Sequence, residues 1–338
     1  MAEFLSDYGL FLLKAATVVA AVVIVFAALS AAGRKAAMHE GLEVESLNRK
    51  YRTLAGHLRR VMLGRRGWKA AARVEKARAK TLKSKQRSRT FVLDFKGDLK
   101  ASAVASLREE ISAILEVAGD EDQVIVRLEN FGGIVHEHGL GASQLARVRN
   151  QGVPLTVCVD KVAASGGYLM ACVADRVVAA PFAILGSIGV IAQLPNFNRM
   201  LEGHGVDWEM ITAGEYKRNV TMFGKNTEAD RARLKAQLED VHELFKSAVA
   251  TYRTGLDLAK VSTGEHWYGA RALELGLADE LMTSDQLLSE LAAERDLYRV
   301  KYKIRRPFRQ RLLAGVDDAL ERLDAAGWRR RFESRLPR

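Results

Sequence analysis

Two cysteines, Cys158 and Cys172, are too few for a disulfide framework, and neither stands at metal-ligand spacing from a histidine. Seven histidines include no H-E-x-x-H pair, which excludes the common zinc-peptidase arrangement, and no serine sits in a G-x-S-x-G elbow. Internal repeats are absent, so the chain carries a single catalytic unit. Charge of either sign is missing from Ala15 to Gly33, and acidic residues are scarce in the segment that follows.

The chain of 338 residues is 48% hydrophobic, enough for a sizeable core. Its net charge of +11 is unevenly spread. Residues 34–90 hold 18 basic against 4 acidic side chains and residues 299–338 hold 13 against 5, while the middle, 91–298, holds 20 against 30. A globular part that is acidic argues against a groove for nucleic acid. Basic flanks beside an apolar run fit an anionic lipid surface better.

That run, "AATVVAAVVIVFAALSAAG", has nineteen residues. At 1.5 Å per residue it spans roughly 28 Å, close to the hydrocarbon core of a bilayer. A cleaved signal peptide is the alternative, but the preceding residues are acidic at Glu3 and Asp7, and the run exceeds a usual signal core. An uncleaved anchor over residues 1–33 is expected, with Arg34 and Lys35 favouring a cytoplasmic remainder. Residues 34–90 read as a basic helical stalk or tether, solvated or resting on lipid headgroups. The last segment, 299–338, places Leu312, Leu313, Val316, Leu320 and Leu323 at helical spacing, as either an interfacial or a packing helix.

From Phe91 onward strand and helix patterns alternate. "FVLDF" (91–95), "QVIVRLEN" (123–130), "PLTVCVD" (154–160) and "RVVAA" (176–180) read as strands. Helical spacing occupies 101–118, about 140–150, a start at Ser165, 228–254 and 269–281. Alternation of this kind predicts an α/β fold with a largely parallel sheet.

In such a sheet, reactive groups gather where strand ends lead into helix N-termini. Ser165, in "DKVAASGGYLMACVAD", falls there, and so does the pair Gly132-Gly133 after the strand at 123–130. A serine in that position is ordinarily a helix cap, and two glycines ordinarily a turn. Together they also offer a nucleophile with small neighbours and backbone N–H donors for an oxyanion. The base is harder to find. His136 and His138 read as solvated or substrate-side residues of a loop. A lysine base needs its ordinary pKa of about 10.4 brought down by roughly 3, an effect of about 4 kcal/mol, through burial in an apolar site. Lys217, in "TAGEYKRN" after the strand-like "WEMIT", is by its residues alone an ordinary surface lysine.

Four stretches in order, "DKVAASGGYLMACVAD", "GSIGVIAQLPNFNRML", "TAGEYKRN" and "TGEHWYGARALELGLADE", resemble the signal peptide peptidase A type of serine peptidase, family S49. The likeness runs from about Phe91 to Leu281, and the amino-terminal anchor and basic stalk resemble the inner-membrane members. It implies a ClpP/crotonase-like fold of repeated ββα units and a catalytic domain over 91–298. It also implies Ser165 as nucleophile, Lys217 as general base, and Gly166 with Gly133 as the oxyanion hole. Ser187 matches a family hydroxyl that orients the lysine, though a turn role is an equal reading.

The resemblance further implies peptide substrates of hydrophobic or signal-peptide type, no cofactor or metal, and a ring-like homo-oligomer at the bacterial inner membrane, whose sites can draw serine and lysine from neighbouring protomers. The family usually faces outward, against the sense of the basic flank. Where the family carries proline before the glycine pair, this chain has Phe131, in "ENFGG". Two other readings share the fold: an acyl-CoA enzyme of crotonase type, and a silent membrane scaffold.

Overall fold

The computed structural model describes residues 41–83, 87–214, 217 and 219–304, with Lys14, Thr17 and Val19 as isolated positions. The expected span from Ala15 to Gly33, those two positions aside, and the amphipathic segment near the C-terminus lie outside the described residues. Among the described residues no helix is long and apolar enough to cross a membrane.

The order is β1 (Gly41–Ser46), α1 (Leu47–Met62), α2 (Gly64–Lys83), β2 (Arg89–Lys96), α3 (Val104–Val117) and β3 (Gln123–Glu129). Next come α4 (Val135–Asn150), β4 (Leu155–Val159), β5 (Val162–Ala164), α5 (Gly166–Ala171), β6 (Arg176–Ala179) and β7 (Ile184–Gly186). The chain continues through α6 (Asn198–Gly203), α7 (Glu228–Tyr252), α8 (Leu258–Val261), β8 (His266–Tyr268), α9 (Gly269–Glu274), β9 (Glu280–Leu281), α10 (Ser284–Glu294) and β10 (Asp296–Lys303). The unit Leu42–Tyr302 contains almost all of them.

Seven strands form one sheet in the order β1-β10-β2-β3-β4-β6-β9, and the pairings from β10 to β9 are all parallel. Burial explains why the central strands are runs of Val, Leu, Ile and Phe: both of their faces are covered. Phe91, Leu93, Phe95, Val124, Val126 and Leu128 point to one face, where Leu107, Ile111 and Ile114 of α3 and Leu145 of α4 meet them. Val92, Ile125, Cys158 and Val178 point to the other, against Leu47 of α1 and Leu287 and Leu288 of α10. Each fully buried aliphatic side chain contributes about 1.5–3 kcal/mol. Burial also pushes both thiols, Cys158 and Cys172, up to about 12, which leaves them unreactive near neutral pH.

A second sheet, β5-β7-β8, has β5 parallel and β8 antiparallel to β7. A bridge at Asn130 links the two sheets. Asn130, just past β3, donates its N–H to Val162 O at 2.9 Å and accepts from the Ala164 N–H at 3.0 Å. The glycine loop after β3 is thereby brought against the end of β5, where Ser165 begins.

Candidate active site

Ser165 stands between β5 and α5 with φ +51° and ψ −121°. Left-handed φ in a residue with a Cβ costs of order 1–3 kcal/mol and persists only where the surroundings enforce it. Here they do: its N–H donates to Gly186 O at 2.8 Å, its carbonyl accepts from Leu169 N–H at 3.0 Å, and β5 is held on both sides. The strain turns the side chain out of the capping position, and the hydroxyl makes no capping hydrogen bond. A capping serine has extended backbone and an engaged hydroxyl, and Ser165 has neither.

The glycine loop lies directly on this turn. A methyl group at Gly132, which has φ +87°, would stand 2.8 Å from the Ser165 Cβ and 2.9 Å from the Gly166 nitrogen. The N–H of Gly132 is taken by Asn130 Oδ1 at 2.9 Å. Those of Gly133 and Gly166 have no acceptor among the described residues, and Gly166 opens α5. Among the described residues, two uncommitted N–H donors thus lie near a hydroxyl that makes no hydrogen bond.

Ser187 follows from the strand register. Ala164 pairs with Gly186, so Ser165 and Ser187 leave the ends of adjacent parallel strands together. Ser187 is also strained, with φ +52°, and its N–H donates to Glu265 O at 2.6 Å.

Lys217 is exposed, its N–H donating to Gly214 O at 3.2 Å. Among the described residues no hydrogen bond joins it to Ser165, and positions 215, 216 and 218 beside it lie outside that set. The expected strand at 208–212 does not form. Among the described residues no strand pairs with it; Trp208 meets Phe223 at 5.0 Å between ring centroids, and nearby Asn196 donates to the carbonyls of Thr221 and Gly224.

The H-E-H stretch departs from expectation. His136 is exposed, but α4 starts at Val135, earlier than expected, and its first turn carries His138 into the interior with no exposed surface. His138 and Asn130 are the site neighbours that the sequence did not disclose.

Two family models match the chain. Residues 3–145 match the N-terminal model of peptidase family S49 and residues 147–298 match the peptidase family S49 model itself. A probable protease SohB of Haemophilus influenzae is 44% identical over 319 residues, 90% of each chain. The chain belongs to peptidase family S49.

This S49 chain is thus a serine-type peptidase acting on peptides. A probable protease SohB of Buchnera aphidicola subsp. Acyrthosiphon pisum shares 53% identity over 230 residues, 68% of each chain. A putative signal peptide peptidase SppA of Enterococcus faecium shares 27% over 177 residues, 52% of this chain and 51% of that one. A solved chain of the 1510-N membrane-bound stomatin-specific protease, 12% identical, overlaps 69% of this chain and all of its own, with a TM-score of 0.43.

Proposed function

We propose that Ser165 is the nucleophile and Lys217 the general base of this peptidase, with the N–H groups of Gly166 and Gly133 as the oxyanion hole and the Ser187 hydroxyl orienting the lysine. The observation that carries the reading is the strained strand-to-helix turn at Ser165, whose hydroxyl makes no hydrogen bond among the described residues, near two N–H donors that also lack one there. The amine of Lys217 takes the hydroxyl proton while Oγ attacks the peptide carbonyl carbon. The oxygen's charge is received by Gly166 and Gly133, the amine leaves with the lysine's proton, and water then resolves the acyl-enzyme.

The strand arrangement is read as the ClpP/crotonase-like fold of repeated ββα units, with 1–33 as membrane anchor, 34–90 as a basic segment whose β1 and first turn of α1 pack with the catalytic domain 91–298, and 299–338 as basic C-terminal segment that adds the end of β10. Substrates are hydrophobic peptides of signal-peptide type, presented at the bacterial inner membrane. A ring of identical protomers is part of the reading. So is contact of the basic flanks with anionic lipid, favoured by α1, whose exposed Leu54, Leu58, Val61 and Met62 fall on one side of a helix with Arg59 and Arg60 in its last turn.

The test is cleavage of a hydrophobic peptide by Ser165→Ala and Lys217→Ala, both folded. Each should lose about 10³-fold or more in kcat. Retention of wild-type cleavage by either variant refutes the dyad.

A further inference from the structure

The two proposed oxyanion donors share one neighbour on their inner side. A methyl group built on Gly133 would stand 2.9 Å from His138 Cε1, and one built on Gly166 would stand 2.6 Å from His138 Cγ. The imidazole therefore occupies the room that side chains at both positions would need. Gly133 is also closed from elsewhere, since the same methyl would lie 2.3 Å from Leu99 O. Neither glycine can move inward while the ring is in place.

The ring is held by its nitrogens as well as by packing. His138 Nδ1 lies 3.0 Å from Ile134 O, and Nε2 lies 3.2 Å from Asn130 Oδ1. Asn130 is fully buried too, and its Oδ1 accepts the N–H of Gly132. A backbone N–H needs an acceptor, so Gly132 fixes the carboxamide with its oxygen toward the ring. The series His138, Asn130, Gly132 thus runs from the first turn of α4 into the loop that touches Ser165.

We propose that His138 is the positioning residue of the oxyanion hole: its ring sets the spacing of Gly133 and Gly166, and its link to Asn130 holds the glycine loop against the Ser165 turn. This rests on the reading of Ser165, Gly133 and Gly166 given above. Oxyanion donors must stand about 2.7–3.1 Å from the developing charge, so a loop that drifts by a few tenths of an ångström loses rate before it loses binding.

Both ring nitrogens face acceptor oxygens. A neutral imidazole has one N–H and satisfies one of them; the cation satisfies both. Burial holds the imidazole below its ordinary value, against the Ile134 carbonyl, Asp98 from the loop after β2 and Glu137 on α4, which favour the cation. Taking up the second proton on the acid side alters the tie to the loop.

The experiment measures kcat, KM and the kcat–pH profile on a hydrophobic peptide for wild type, His138→Phe, His138→Gln and Ser165→Ala. His138→Phe keeps a ring under the glycines without either nitrogen; His138→Gln restores one amide donor. A variant melting within about 5 °C of wild type counts as folded. The expected result is a kcat at least tenfold lower for His138→Phe with KM within about twofold, partial recovery in His138→Gln, and a changed acid limb in both.

Wild-type kcat in folded His138→Phe, or a loss confined to KM, overturns the inference while an inert Ser165→Ala leaves the nucleophile standing. Should His138→Phe not fold, His138→Gln carries the same test: a kcat and acid limb equal to wild type overturn the proposal. Full cleavage by Ser165→Ala removes the underlying reading and this inference with it.

Discussion

At Gly132 a single hydrogen decides whether the site can close. Its φ of +87° excludes most side chains, and an added Cβ would lie 2.7 Å from Ala164 O, 2.8 Å from the Ser165 Cβ and 2.9 Å from the Gly166 nitrogen. All three belong to the one turn that carries Ser165, and none is the end of a flexible side chain. Gly132→Ala should therefore cost upwards of about 2 kcal/mol and most of the kcat. Gly139, inside α4 with nothing within 4 Å of its Cβ position, supplies the contrast. Gly139→Ala should stabilise by roughly 0.8–1 kcal/mol with kcat unchanged. Paired urea titrations and peptide assays read both; equal effects at the two positions would mean that the close approach at Gly132 is relieved at no cost.

The same comparison shows what a linear sequence discloses at this scale. Ser165 and Gly132-Gly133 were legible because each marks a local event, a strand giving way to a helix or a turn. Asn130 and His138 were not. Asn130 reads as the end of a strand and His138 as one of two histidines near glycines, and their roles arise from contacts across eight residues and between two sheets. The strain at Ser165 was likewise invisible, because β5 is held to β7 and to Asn130 by hydrogen bonds that no periodicity encodes.

Among the elements, long buried strands announce themselves and short ones do not. β2, β3, β4 and β6 are near-continuous apolar runs because both faces are covered, and each was readable to within a few residues. β5, β7 and β8 have three residues each, too few for a period, so the second sheet that bears Ser165 and Ser187 went unread. Helix α1 shows the reverse case. It begins at a well-formed cap, with Ser46 accepting from Arg49 N–H, and buries Leu47 under the main sheet. Further along, Leu54, Leu58, Val61 and Met62 are 56%, 65%, 85% and 78% exposed, on a helix that carries no acidic residue. An apolar stripe with only basic company is complementary to an anionic bilayer. In co-sedimentation, the protein should bind vesicles containing phosphatidylserine more tightly than purely zwitterionic ones, less so in high salt. Leu58→Glu with Val61→Glu should weaken that binding at least tenfold while leaving the melting temperature within a few degrees. Unchanged binding by the double variant would remove α1 from the lipid-facing surface.

For the whole molecule, the proposed nucleophile and the proposed base have different surroundings. Ser165 is fixed by two sheets, whereas Lys217 lies in a stretch that exposes Ile191, Leu194, Met200, Val206, Trp208, Met210 and Ile211, the last at 96%. Apolar exposure on this scale is what protein–protein contact ordinarily covers. On the proposed reading, the serine of one protomer in a ring would meet the lysine of the next, and the Ser165→Ala and Lys217→Ala variants then become informative together. Mixing folded Ser165→Ala and Lys217→Ala chains in equal amounts, with subunit exchange, should restore about a quarter of wild-type activity. Half of the sites receive an intact serine, and half of those face an intact lysine on the neighbour. Dyads formed within one protomer would give no recovery at any ratio, because every chain lacks one of the two groups. Activity per mole of wild type should fall on dilution in step with dissociation, followed by sedimentation velocity. A mixture that stays inert while sedimenting as a mixed oligomer would place both residues in the same chain and confine the apolar stretch to a structural role.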